Sequence, residues 1–388
     1  MPDGSEPAVL KVVSALAEVP AAEWDACAGA DNPFVSHAFL LALEESGAAT
    51  EQTGWLGQHL CLEDASGRLL GAVPLYLKNH SYGEYIFDWG WADAYERAGG
   101  RYYPKLQCAV PFTPVTGPRL LVRGGTDETA VRETLIAGLR EIFTRHGVSS
   151  LHVTFATKTE WEAFGEAGFL QRLDLQYHWH NHGYASFDDF LGALASRKRK
   201  AIRKERRKVA ESGIELRALS GKNLKEDHWD AFYAFYLATA DKKWGRPYLT
   251  REFFSLLGER MAEQVVLILA EADGQPVAGA LNLRDSQAIY GRNWGCLAEF
   301  KFLHFETCYY AAIDYAIEHG LQRVEAGAQG EHKIQRGYLP SETYSAHLIR
   351  DPGLEEAVAD YLRREGQAIR HEIAALAEHS PFRQEEEK

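Results

Sequence analysis

The chain has 388 residues, a net charge of −13, 46% hydrophobic and 25% charged side chains. That length fits two domains of ordinary size, and the composition is that of a soluble globular protein with sizeable cores. The acidic balance disfavours nucleic-acid binding through the overall field, and no apolar run reaches the ~18–20 residues of a membrane span. Five cysteines (Cys27, Cys61, Cys108, Cys296, Cys308) form no CxxC pair. This argues against a zinc ribbon or disulfide frame and for reduced thiols in the cytoplasm. The N-terminus, MPDGSEPAVLKVV, lacks the basic and apolar regions of a secretion signal.

In chain order, LKVVSAL is a predicted strand and PAAEWDACAGA a helix with Pro20 in its first turn. Ser36 caps a helix through Phe39, Leu40 and Leu43. Antiparallel strands follow in HLCLEDASGRLLGAVPLYLK, with turn chemistry at Asp64–Gly67 and Asn79–Gly83. Residues 91–123 read as irregular and aromatic-rich. Thr126 or Asp127 starts a helix that stops at Gly147, and SLHVTFA, WEAFGEAGF and QRLDLQYHWHN read as strand, helix, strand. Residues 186–212 read as one helical arm capped by Ser186. Within it, residues 197–208 hold nine basic residues and one acid, so a cationic island sits on an otherwise more acidic chain. IELRALS is a strand. Two helices follow, the second capped by Thr250, then strands around the DGQP turn, a helix stopped by Gly320, the strand RVEAGA and a last strand in SETYSAHLIR. The tail from Pro352 is an amphipathic helix.

Two long segments match in order. GRLLGAVPLYL resembles GQPVAGALNLR, FDWG resembles RNWG, LREIFTRHGVSSLHV resembles AIDYAIEHGLQRVEA, and GFLQRLDLQYHWH resembles GYLPSETYSAHLI. The offsets place an insertion in the first copy, at about 91–123. The expected architecture is α/β: two tandem units at 1–185 and 186–388. Each is a mixed, mostly antiparallel sheet flanked by helices, with the basic arm between them. This element order is that of the acetyltransferase-like GNAT fold.

FDWGWADAYERAGGRYYPKLQCAVPFTPVTGPRLL and HFETCYYAAIDYAIEHGLQRVEAGAQGEHKIQRGYLPSETYSAHLI resemble the FemAB-like predicted N-acyltransferases of the GNAT superfamily. The resemblance spans nearly the whole chain. It implies a bacterial enzyme with a double GNAT-like fold that transfers an acyl or aminoacyl group to an amine. Better understood Fem-type relatives use aminoacyl-tRNA and peptidoglycan precursors. Acetyl-CoA-using members carry Q/R-x-x-G-x-G/A. Here Arg292-Asn293-Trp294-Gly295-Cys296-Leu297 keeps the first half, but Leu297 replaces the small residue. The donor therefore stays open between acyl-CoA and aminoacyl-tRNA, with no tightly bound cofactor expected.

The chemistry concentrates in the second copy. Glu325, on a strand expected to be central, is either a general base or a carboxylate paired with Arg292 or Arg336. His304, Glu306 and His332 are candidates for orienting the nucleophile or relaying a proton, and Tyr338 for proton donation. Glu306 also suits a helix N-terminus and Tyr338 a core. Arg292, Lys333 and Arg336, with Arg199, Arg203 and Arg206 of the arm, suit phosphate or carboxylate. The arm reads equally as a solvated helix. Lys242, Lys243, Trp244 and Arg246 repeat the cation–aromatic theme on a predicted loop. Asp88, Trp89, Asp93, Tyr95, Arg97, Tyr102, Tyr103 and Trp294 are candidates for an acceptor pocket, although the insertion reads equally as a cover for a sheet edge. The ligand spacing matches no metal motif, and GxSxG, P-loop, GxGxxG and HExxH motifs are absent.

The expected function is direct transfer of an acyl or aminoacyl group from an activated carrier to an amine, on a small molecule or a cell-wall precursor. The alternative is a non-catalytic protein that binds tRNA or a cell-wall precursor through the basic arm.

Overall fold

The computed structural model describes residues 8–243, 247–298, 300–328 and 330–383. It is an α/β protein with two compact units, discontinuous in sequence. Residues 1–174 and 343–368 make the first, residues 175–342 and 369–388 the second. The single boundary near residue 185 expected from the repeat gives way to crossings inside the strands Leu170–His180 and Leu339–Ile349, and again in the C-terminal helix Pro352–Glu378.

In the first unit, Val9–Val13, His59–Glu63, Leu69–Val73 and Leu121–Val122 form one antiparallel sheet. In a second set, Trp55–Gly57, Leu75–Lys78 and Lys105–Cys108 pair antiparallel, Lys105–Cys108 runs parallel to Ser150–Ala156, and Tyr344–Ile349 pairs with that strand. The helix Glu128–His146 starts where Asp127 accepts from Ala130 N–H and stops at Gly147, whose φ of 63° suits a residue without Cβ. It buries Val131, Leu135, Leu139 and Ile142, spaced three to four apart, in a cluster with Leu60, Val73, Leu151 and Val153.

In the second unit the strand order is Ile214–Leu219, Val265–Ala272, Gln275–Arg284, Ala288–Cys296, Arg323–Glu325 and the Leu175–His180 part of Leu170–His180. All neighbours are antiparallel except Ala288–Cys296 with Arg323–Glu325, which a helix joins as a parallel crossover needs. Ile289, Val324 and Trp179 pack with Ile313 and Ala316 of that helix.

Several expectations change. The stretch 91–123 is ordered: it holds most of the helix Trp89–Arg97 and the strands Lys105–Cys108 and Leu121–Val122. Trp89 opens a helix whereas Trp294 lies in a strand, so FDWG and RNWG are not equivalent. By pairing, the counterpart of Ala288–Cys296 is Lys105–Cys108. The insertion is therefore residues 79–104, standing where Asp285–Gln287 suffice in the second unit. The basic arm is two helices, Phe187–Ala193 and Ser196–Ala210. Between them buried Leu194 bridges to Phe382 and Ala195 N–H donates to Pro381, which fixes extended backbone.

Candidate active site

The parallel pairing in the second unit is short. Ala288, Ile289 and Tyr290 face Arg323, Val324 and Glu325, and there the pairing ends. From Gly291 to Cys296 the strand pairs only with Gln275–Arg284 among the described residues. Arg292 is the extra residue of a bulge between the partners of Asn282 and Leu281. The two parallel strands thus part at Tyr290 and Glu325, and among the described residues no strand pairs along the far side of Asn293–Cys296, where backbone groups can meet a ligand.

The turn after Arg323–Glu325 closes on this point. Lys333 is 4% exposed, and its ammonium donates to the carbonyls of Ala326 at 2.6 Å and Gly327 at 3.1 Å. Burial pulls it down to about 8. Beside it His332 is exposed at one edge. Its Nε2 lies 3.1 Å from the Tyr309 hydroxyl, and its ring contacts Phe305 and His304. Burial, then the charges of Arg336 and Lys333, hold this imidazole below its usual range. A Cβ on Gly330 would sit 2.4 Å from the His332 ring, and its φ of 101° is one that side chains rarely adopt. Glycine there makes room for the imidazole.

The helix side contributes Leu303–Phe305, the π-helical turn Glu306–Tyr310 and Ala311–Glu318. Such a widened turn shifts side chains around the helix and often marks a site. His304 touches Trp294 and Tyr309, with ring centroids 5.4 and 5.3 Å away. Trp294, His304, Phe305, Tyr309 and His332 therefore form one aromatic cluster next to Lys333.

The other face holds a separate pair. Strand alternation turns Val324 into the helix-side core and Glu325 away from it. Glu325 accepts from Arg323 Nε at 2.7 Å, and its Oε2 lies 3.7 Å from His178 Nε2; both facing atoms are buried without a hydrogen-bond partner. Burial lowers His178, with Glu325 opposing. The first unit repeats this position. His152 occupies the place of Glu325 and His347 that of His178, at cross-strand register, with their Nδ1 atoms 2.8 Å apart. There the position is filled: His152 Nε2 meets Ser150 and Tyr102, and Tyr102 donates to Asp88. The insertion supplies Asp88 and Tyr102, so the first unit's equivalent position is occupied by its own chain.

The chain matches the FemAB-like family model, described as peptidoglycan biosynthesis/recognition, over residues 15–384. The chain belongs to this family. No curated protein matches it in sequence. Among solved structures it is similar to FemX, at 11% identity and a TM-score of 0.55, covering 88% of this chain and 98% of that one. It is also similar to the C-terminal domain of a putative lysylphosphatidylglycerol synthetase from Agrobacterium fabrum, at 10% identity, TM-score 0.54, covering 92% and 98%. A tandem GNAT protein from the clavulanic acid pathway matches at 14% identity and TM-score 0.48, covering 89% and 99%. The fold, mixed sheets flanked by helices, is the α/β class expected from the sequence and is shared with FemX and with that synthetase domain. No described helix is long and apolar enough to cross a membrane.

On this FemAB-like frame the sequence candidates separate into groups. His304, His332, Lys333 and Trp294 come together. Glu325 stands on the opposite face, and its ion-pair partner is Arg323 in place of the expected Arg292 or Arg336. Arg336 is buried against Glu205. Tyr338 is fully buried and donates to the Tyr309 carbonyl, a core role. Glu306 is buried, raised by burial and paired with Arg206, which also holds Asp314. Arg203 pairs with Asp188 on the surface, and Arg199 is half-buried. Of the acceptor candidates, Asp88 and Tyr102 are buried, Tyr103 bonds Ser81, and Tyr95 packs near Tyr102. Asp93 and Arg97 form an exposed i,i+4 pair, and Trp89 is exposed. Lys242 and Lys243 end the helix Glu226–Lys243, and Trp244 and Arg246 lie outside the described residues. Sequence reasoning missed Tyr309, Phe305, Glu205 and His178. Of these, His178 had a signal: it aligns with His347 in the repeat.

Proposed function

We propose that this FemAB-like protein is an N-acyltransferase. It moves an acyl or aminoacyl group from an activated carrier to an amine, with a cell-wall precursor as acceptor class and acyl-CoA or aminoacyl-tRNA as donor. The observation that carries this reading is the parting of the parallel strands at Tyr290 and Glu325, beside the buried Lys333 and a histidine that burial and two nearby cations hold below its usual range. The donor carbonyl lies along the edge Asn293–Cys296, where a backbone N–H stabilises the oxyanion. The amine attacks that carbonyl; the new C–N bond forms and the bond to the carrier breaks. In the tautomer whose Nε2–H donates to the Tyr309 hydroxyl, His332 Nδ1 keeps its lone pair for the amine proton. Lys333 supplies positive charge beside the leaving carrier. Family membership supports the wall-precursor acceptor, and nothing favours a purely binding role over transfer.

The test offers labelled aminoacyl-tRNAs and acyl-CoAs, each with wall precursors bearing a free amine, and follows label in the precursor. Transfer from one donor class is expected. His332→Gln should lower turnover about 10²-fold or more, the usual span of a lost general base. Lys333→Met should lower it comparably. A folded His332→Gln protein with full turnover would remove this residue from the mechanism, and label transfer from no donor would sink the reading.

A further inference from the structure

The basic helix Ser196–Ala210 carries a single acid, Glu205, and that acid faces inward. Both Glu205 carboxylate oxygens lie 2.9 Å from Arg336 Nη2, and the Tyr310 hydroxyl donates to one of them. Arg336 donates from Nη1 to the carbonyl of His332 at 2.8 Å, and its guanidinium lies 3.4 Å from the centre of the Phe305 ring. The path from helix to turn is thus a chain of direct contacts. Arg336 is only 6% exposed, so without Glu205 its charge would lack a carboxylate in a largely desolvated place. The same helix makes a second attachment through Arg206 to Glu306 and Asp314. Losing Glu205 therefore leaves the helix held while Arg336 of the turn and the Tyr310 hydroxyl lose their shared carboxylate.

We propose that Glu205 is the positioning residue of this site. Through Arg336 it fixes the carbonyl of His332, and with it the turn Glu331–Arg336 that carries His332 and Lys333. A carboxylate suits this task because both its oxygens accept from Arg336 Nη2 while one of them takes the Tyr310 hydroxyl as well. Tyr310 lies in the π-helical turn, so Glu205 ties both walls of the aromatic cluster to one point. Its effect on turnover rests on the transferase reading; its effect on the turn does not.

The experiment reads the turn without a substrate. Lysines of the whole protein are acetylated competitively with acetic anhydride across a pH series, and the Lys333 peptide is followed by mass spectrometry. In the wild type its midpoint should lie near the depressed value of about 8. In Glu205→Gln it should rise by about one pH unit or more, a tenfold change in proton affinity, as the turn loosens and the ammonium is solvated. Glu205→Asp should restore most of the depression. Once a donor is known, Glu205→Gln should lower kcat with little change in donor KM. An unchanged Lys333 midpoint in a Glu205→Gln protein that melts like the wild type overturns the proposal. If Glu205→Gln does not fold, Tyr310→Phe decides: a smaller rise in the same direction supports the proposal, and an unchanged midpoint overturns it. A shifted midpoint in a protein that never transfers label would sink the transferase reading alone.

Discussion

Lys105 is fully buried with its ammonium 2.6 Å from Glu84 and 2.5 Å from Asp88. Two carboxylates on one lysine offset its desolvation, and Lys78, over the Trp55 ring, stands 3.7 Å from Glu84. His152 sits at the end of this network, reached through Tyr102. Burial first, then Lys105, pushes it down to about 3, although Asp88 opposes; Arg172 and His347 are its other charged or titratable neighbours. The sign follows from the usual imidazole value of 6.5. Between 6.5 and 3 the unfolded chain takes up a proton that the folded chain refuses. Stability from neutral His152 is fully present above 6.5 and is lost as the pH falls toward 3. Relative to His152→Gln, the wild type should lose about 1.4 kcal/mol more per pH unit across that window, as one extra proton requires. Urea unfolding at pH 7, 6, 5 and 4 measures this, and parallel curves for the two proteins would show that His152 charges freely inside the fold.

Gly295 shows how an element can imitate a motif. In sequence, Arg292 to Leu297 reads as half of a phosphate-binding loop. In the structure Arg292 to Cys296 is strand, and a Cβ on Gly295 would stand 2.2 Å from the Phe235 carbonyl oxygen of the adjacent helix. The glycine is there for helix–strand contact. Gly295→Ala should cost about 1–3 kcal/mol, as overpacking does, and should shift the strand edge Asn293–Cys296. A melting temperature equal to the wild type's would show that the helix yields freely. Most helices were legible because their ends are local chemistry: Ser36, Ser186 and Thr250 cap as expected, Asp127 does so of the two candidates Thr126 and Asp127, and Gly147 and Gly320 stop their helices. The break at Leu194 was not legible, because its cause is a bridge to Phe382 far along the chain. Nor was the π-helical turn at Glu306–Tyr310, since nothing in that sequence distinguishes it from an ordinary turn.

At the scale of the molecule, the duplication was legible and the crossing of its parts was not. The repeat pairs His178 with His347 correctly, yet it cannot say in which unit each strand is placed. His347 follows the second copy's turn but pairs with the first unit's Ser150–Ala156, and His178 follows the first copy but pairs with Arg323–Glu325. The site shows the same division. His304, His332 and Lys333 are brought together by a helix and a turn close in sequence, whereas Glu325 is separated from them by strand alternation, and Glu205 joins them from 131 residues away. This crossing makes a prediction about truncation. A chain ending at 342 loses Tyr344–Ile349, which with Lys105–Cys108 flanks the wholly buried strand Ser150–Ala156. It also loses Leu354, Val358 and Leu362, which pack with Trp91 and Tyr102. The first unit should then fail to fold, although residues 1–174 are intact and every deleted residue belongs to the second sequence copy or the tail. Near-ultraviolet circular dichroism of Trp24, Trp55 and Trp91, with proteolysis read by mass spectrometry, should show that unit lose its fixed packing. Had the repeat copies been independent folds, the same truncation would leave the first unit with a cooperative melt and protected peptides from Leu135 to Ala156.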